Sequence, residues 1–134
     1  MAAPTIHFRI HFAKNANVGP GKIELLEAIR RRGSLSRAAR DLGMSYRRAW
    51  LLLQSLNNSF KKPVTLATTG GKGGGGATVT DFGEELIRSY RRLDREISLV
   101  AAVRLHSITP AVARSTQPRS RASGRSLRPR SAPR

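Results

Sequence analysis

The sequence predicts an α+β fold, one small domain followed by a tail, and three observations carry that prediction. Residues 34–60 read as two short amphipathic helices joined at a glycine. The β-prone runs Val64–Thr68 and Ala77–Val79 flank a glycine-rich stretch and read as a hairpin. A long helical pattern then runs from Thr80 to His106, after which Ser, Arg, Pro and Ala dominate. Residues 1–106 are therefore expected to fold and residues 107–134 to form a disordered basic tail.

Composition narrows the class of function. The chain has 134 residues, enough for one real core but not for two large ones. Lys and Arg number 25 against 8 acids, a formal charge of +17, which favours an anionic polymer or surface as partner. Without the seven arginines of the tail the first 106 residues still carry +10, so the folded part is basic by itself. Cysteine is absent, which excludes disulfides, zinc fingers and thiol chemistry. No long apolar run or signal-peptide pattern is present, so a cytoplasmic location at the bacterial nucleoid, and no membrane partner, is the expectation.

At the N-terminus Ile6, Phe8, Ile10 and Phe12 alternate with His7, Arg9 and His11, the pattern of a half-buried strand. Two histidines two apart could start a metal site, but no third ligand lies nearby, and exposed strand histidines are expected instead. Residues 15–21 are turn-rich. Pro20 then introduces a helix carrying Ile23, Leu25, Leu26 and Ile29 and ending in Arg30, Arg31, Arg32 and Gly33. Cations suit a helix C-terminus, whose free carbonyls are partly negative; phosphate contact is the alternative account of the triplet.

Residues 34–60 form the centre of the chain. Ser34 is placed to cap a helix whose apolar face is Leu35, Ala38, Ala39 and Leu42. Gly43 ends it at no steric cost, Met44 plugs the turn, and Ser45 caps a second helix. On that helix Ala49, Leu53, Leu56 and Phe60 face inward with Trp50 beside them, while Tyr46, Arg47 and Arg48 crowd the first turn and point elsewhere. Small alanines on one helix, a glycine turn and a basic start to the next describe a helix-turn-helix, whose second helix offers its N-terminal residues to the DNA major groove. An ordinary helical hairpin with solvated arginines is the plainer alternative.

Lys61-Lys62-Pro63 breaks the second helix before the hairpin. Beside a helix-turn-helix, a hairpin tipped by Thr69-Gly70-Gly71-Lys72-Gly73-Gly74-Gly75-Gly76 reads as a wing, with amides and Lys72 available to phosphates. Gly71, Gly73 and Gly76 match a dinucleotide-binding spacing with Glu96 downstream, but no helix opens inside the motif. Lys72 is followed by Gly73 rather than Ser or Thr, so a P-loop does not fit.

Ser45-Tyr46-Arg47-Arg48-Ala49-Trp50, Thr69–Ala77 and Thr80-Asp81-Phe82-Gly83 together resemble the N-terminal domain of ModE-type molybdate-responsive regulators. The resemblance covers about residues 4 to 106. Ser34-Leu35-Ser36-Arg37-Ala38-Ala39 is also similar to LysR-type regulators, which lack the glycine tip. The resemblance implies a winged helix-turn-helix with a recognition helix starting near Ser45, a glycine wing, dimerisation through the last helix, and a link to molybdenum metabolism. Family members carry C-terminal molybdate-binding domains, and nothing after residue 106 matches these. No molybdate binding is expected in this chain, because a tight oxyanion site needs several donors converging in a desolvated pocket.

The last helix opens at Thr80 with Glu84 and Glu85 in its first turn. Leu86, Tyr90, Leu93, Ile97 and Val100 step by four and three along it, a heptad seam read as a dimer contact rather than an intradomain face. The sequence thus points to a homodimeric, sequence-specific DNA-binding regulator acting on a two-fold site in double-stranded DNA. Arg47 and Arg48, with Ser45 and Tyr46 beside them, are the expected groove contacts, since arginine pairs bidentately with guanine edges. Arg37, Arg40, Lys72, Gly73 and Gly74 are the expected phosphate contacts. A non-specific nucleoid-type binder driven by charge is the alternative. No nucleophile–base pair, carboxylate dyad or ligand cluster is visible, so neither enzyme activity nor a cofactor is expected.

Overall fold

The computed structural model describes residues 3–69 and 75–113. The elements are β1 (Ile10–Ala13), β2 (Ala16–Val18), α1 (Pro20–Arg32), α2 (Leu35–Asp41), α3 (Tyr46–Ser59), β3 (Thr65–Thr68), β4 (Gly76–Val79) and α4 (Asp81–Arg104), with a 3-10 turn at Thr109–Ala111. The α+β winged helix-turn-helix expected from the sequence is the observed architecture. Among the described residues no helix is long and apolar enough to cross a membrane.

α1 is the central rod. Pro20 occupies its first turn, where a missing amide costs nothing, and Gly33 closes it at φ 73° with its N–H donating to the Ile29 carbonyl at 2.7 Å. Ile23, Leu25, Leu26 and Ile29 are fully buried, and α1 touches α2, α3, α4, β2 and β4. Lys22 is buried as well, donating to the Asn17 carbonyl and the Ser55 hydroxyl, both at 2.9 Å. Burial, aided by nearby Arg9, lowers its pKa.

The N-terminal strand is shorter than the alternation suggests. Ile6 and Phe8 are half-buried and His7 and Arg9 exposed, yet the ladder begins only at Ile10, paired antiparallel with β2. That partner strand lies within residues 15–21, whose composition predicts a turn. An irregularity between His11 and Ala13 breaks the alternation, so Phe12 leaves the buried row and is 54% exposed. Its ring instead meets Phe60 edge-on at 5.6 Å, and Phe60 meets Phe82 at 5.3 Å. His7 and His11 are exposed, as expected.

The wing strands pair in register, Thr65 with Val79 and Thr68 with Gly76. The Ala77 amide donates to the Gly33 carbonyl at 2.9 Å, tying the wing to the end of α1. A Cβ on Gly76 would sit 2.9 Å from that carbonyl oxygen, so only glycine permits the approach. Gly83 is constrained likewise by the Val64 carbonyl and the Val79 side chain, which explains the glycine after Thr80-Asp81-Phe82. The wing tip, with Lys72, Gly73 and Gly74, and the tail from residue 114 onward lie outside the described residues. Residues 105–113 form turns and one 3-10 turn rather than a continuation of α4.

α4 divides into two unlike halves. Leu86, Ile87 and Tyr90 are buried in the domain core. The Tyr90 hydroxyl donates to the Phe8 carbonyl at 2.7 Å and its ring stacks on Phe8 at 4.5 Å. Arg91 grips Glu27 with two bonds of 2.7 and 2.8 Å, and this bond is the main reason the Glu27 pKa is lowered. Leu86 and Tyr90 are therefore not available to a partner helix: α1 and the N-terminal segment already cover that side, which corrects their placement in a dimer seam. From Leu93 onward the apolar residues are different. Leu93, Leu99, Val100 and Val103 are exposed and Ile97 is half-buried.

Candidate nucleic-acid interface

α3 is held by caps and by one asparagine. The Ser34 hydroxyl accepts from the Arg37 amide at 3.0 Å and the Ser45 hydroxyl from the Arg48 amide at 3.1 Å, so both helices of the motif start where the sequence indicates. Between them Gly43 takes φ 68°, and the Met44 amide donates to the Ala39 carbonyl at 3.0 Å. Ala38 and Ala39 are buried where α2 packs on α1 and α3, and the inward row of α3 is Ala49, Leu53 and Leu56. At the far end the Asn57 carboxamide oxygen accepts from the Val64 amide at 2.7 Å, and its nitrogen donates to the Thr65 hydroxyl at 3.2 Å. Asn57 thus clamps α3 to the root of the wing. No local sequence pattern marks it, because its partners lie seven and eight residues on.

Some arginines are paired with acids of the domain and others are not. Arg30 pairs with Glu84 at 2.7 Å and Arg32 with Asp41 at 3.4 Å, so two members of the first triplet are paired within the domain. Arg91 and Arg92 pair with acids as well. Arg37, Arg40, Arg47 and Arg48 are exposed, and none forms an ion pair among the described residues. α3 has no acid in its first turn, so the positive end of its dipole stands beside two uncompensated guanidinium groups. That arrangement is unfavourable for an isolated helix and favourable for one that meets a polyanion.

Tyr46 is exposed, as expected. Trp50, expected beside the core row, is 43% exposed; it lies one turn after Tyr46 on the flank of that row, where the helix faces the wing. Tyr46, Trp50 and Gln54 line one wall of a cleft whose other wall is Thr65, Ala67 and Gly76 of the wing. Ser45, Tyr46, Arg47 and Arg48 lie together at the start of α3, with Arg37 and Arg40 on the exposed side of the preceding helix. Among the described residues no group of three or more His, Asp or Glu is placed to hold a metal.

Residues 21–84 match the family of bacterial regulatory helix-turn-helix proteins of the lysR type. Over 83 residues, 62% of this chain and 31% of the relative, the sequence is 45% identical to the molybdenum-pterin-binding protein MopB of Rhodobacter capsulatus. It is 41% identical over 75 residues, 56% of this chain and 28% of the relative, to the molybdenum transport protein ModE of Azotobacter vinelandii. It is also 42% identical over 71 residues, 53% of this chain and 27% of the relative, to the DNA-binding transcriptional dual regulator ModE of Escherichia coli K12. The chain carries an N-terminal ModE-like DNA-binding domain. These alignments span less than a third of the length of those relatives. The capped helix pair and the glycine hairpin of the ModE-like domain are the same segments that carry the resemblance in the sequence.

Proposed function

We propose that this chain is a homodimeric, sequence-specific transcriptional regulator of the ModE type that acts on double-stranded DNA. In this reading α3 enters the major groove, Arg47 and Arg48 contact base edges, and Ser45 and Tyr46 lie against the groove wall. Arg37, Arg40 and the wing-tip residues Lys72, Gly73 and Gly74 contact phosphates. The observation that carries the proposal is the start of α3, exposed, capped, and bearing two arginines that no acid of the described residues offsets.

Dimerisation would use the second half of α4. Leu93, Ile97 and Val100 present the free part of the seam, extended by the exposed Leu99 and Val103. Two such helices side by side would bury this strip and pair the two recognition helices, which a two-fold operator requires about one DNA turn apart. The names of the matched relatives point to molybdenum handling, and we place the regulated genes there.

The test is selection of duplexes from a randomised library by the full chain, followed by titration of the selected duplex and a scrambled one. A regulator should retain a preference of at least about a thousandfold at physiological salt. Enrichment of no sequence, with both affinities falling together as salt rises, would favour the charge-driven nucleoid-type binder that a formal charge of +17 also permits.

A further inference from the structure

The recognition face of α3 carries more than charge. Tyr46, Trp50 and Leu51 are 56%, 43% and 49% exposed, three large side chains within the first two turns. Leu51 stands two residues from both Ala49 and Leu53, which are buried, so it projects on the side opposite the core. It lies one turn below Arg47, and Trp50 lies one turn below Tyr46. Only Leu51 faces directly away from the packed row; Tyr46 and Trp50 flank that row at the mouth of the cleft beside the wing, and core packing still leaves all three largely uncovered. A single exposed leucine would carry no information, but three large side chains grouped at the start of one helix form a patch that a partner can cover.

The surrounding charge decides what covers it. Arg47 and Arg48 border the strip, Arg37 and Arg40 lie on the preceding helix, and no acid among the described residues neutralises any of them. An apolar protein partner would have to leave four guanidinium groups unpaired. A DNA duplex offers phosphates to these arginines and, in its major groove, one apolar feature on the base edges: the C5-methyl group of thymine.

We infer that Leu51 and Trp50 close over thymine methyl groups, making α3 a mixed reader in which the arginines select guanine and the apolar strip selects thymine. The inference rests on the reading of α3 as the recognition helix and adds the base class that part of it recognises. Tyr46 and Trp50 alone would also suit stacking on unpaired bases, but Leu51 has no ring to stack, and the strip favours methyl contact over stacking.

Replacing thymines one at a time by deoxyuridine in a duplex selected by the full chain tests this, because the exchange removes the methyl group and leaves base pairing intact. Fluorescence anisotropy should show about a fourfold weaker Kd at one or two thymines in each half-site, the worth of one buried methyl. Leu51→Ala and Trp50→Ala should each weaken binding to the thymine duplex and remove the deoxyuridine effect at one of those positions, with the salt dependence unchanged. Both positions are solvent-facing, and circular dichroism should report a native helix content. A specific duplex that tolerates deoxyuridine at every position, or keeps its penalty in both variants, would overturn the inference and leave the recognition helix standing. A single strand bound as tightly as the duplex would overturn it in favour of stacking. Selection of no sequence would remove the recognition reading, and this inference with it.

Discussion

Arginine ends one helix of this domain and begins another, and the two clusters obey opposite rules. Arg30, Arg31 and Arg32 sit at the C-terminus of α1, where the helix dipole welcomes cations, and two of them are paired with Glu84 and Asp41. Arg47 and Arg48 sit at the N-terminus of α3, where the dipole opposes them and no acid compensates. The same residue type is structural in the first place and exposed at an electrostatic cost in the second. Charge that a fold has already spent on itself is a weak guide to function; charge held against the local field is a better one.

Reversing the second cluster should have the largest effect. Arg47→Glu combined with Arg48→Glu should cost more than about 3 kcal/mol of duplex binding, since both a base contact and the attraction to phosphate are lost. The same double variant should fold slightly more stably, by roughly 0.5 kcal/mol, because acids suit a helix N-terminus. Anisotropy and thermal unfolding read the two effects. A double variant that binds normally would break the contrast outright.

α4 carries a parallel contrast between a half the domain uses and a half it does not. Leu93→Asp should destabilise a dimer by about 2 kcal/mol or more, giving a folded monomer by sedimentation and weaker binding to a two-fold site. Leu86→Asp should unfold the domain, since Leu86 packs in its core. A Leu93→Asp chain that stays dimeric would remove this strip from the interface.

Glu27 tests whether paired arginines stabilise at all. Glu27→Gln should cost about 1–2 kcal/mol of stability, because Arg91 loses a charged partner that accepts two of its bonds. The Glu27 pKa is lowered in the folded state, so its contribution is present above the unfolded value of about 4.3 and fades as pH falls through the folded one. Denaturant midpoints of the two proteins should converge at low pH. A gap that persists there would mean the loss comes from packing rather than charge.

The smallest effect belongs to the first cluster. Arg30→Ala should cost less than about 1 kcal/mol, as Arg30 and Glu84 are both partly solvated, and should leave the preference for cognate over scrambled duplex unchanged. A variant that loses that preference would move Arg30 into the DNA contact.

The legible parts of the fold were those written in neighbouring residues. The caps at Ser34, Ser45 and Thr80 and the left-handed glycines 33 and 43 rest on contacts within a few positions, and the hairpin strands pair across a single glycine-rich loop. β2 was not legible, because three residues amid Asn15, Asn17 and Gly19 look like a turn until β1 lies beside them. Nor was the division of the α4 seam: a heptad repeat reports an apolar line without saying which portion meets α1. At the interface, the exposure of Arg47 and Arg48 was readable from helical spacing, whereas the Asn57 clamp depends on where Val64 and Thr65 return in space.

The most direct measurement of the central claim, that α3 reads DNA sequence from its first turn, compares Arg47→Ala and Arg48→Ala on selected and scrambled duplexes at one salt concentration. Each variant should lose about 1–3 kcal/mol on the selected duplex and distinctly less on the scrambled one, because a base contact is forfeited only where the base is present. Equal losses on the two duplexes in both variants would make these arginines phosphate contacts and contradict the account.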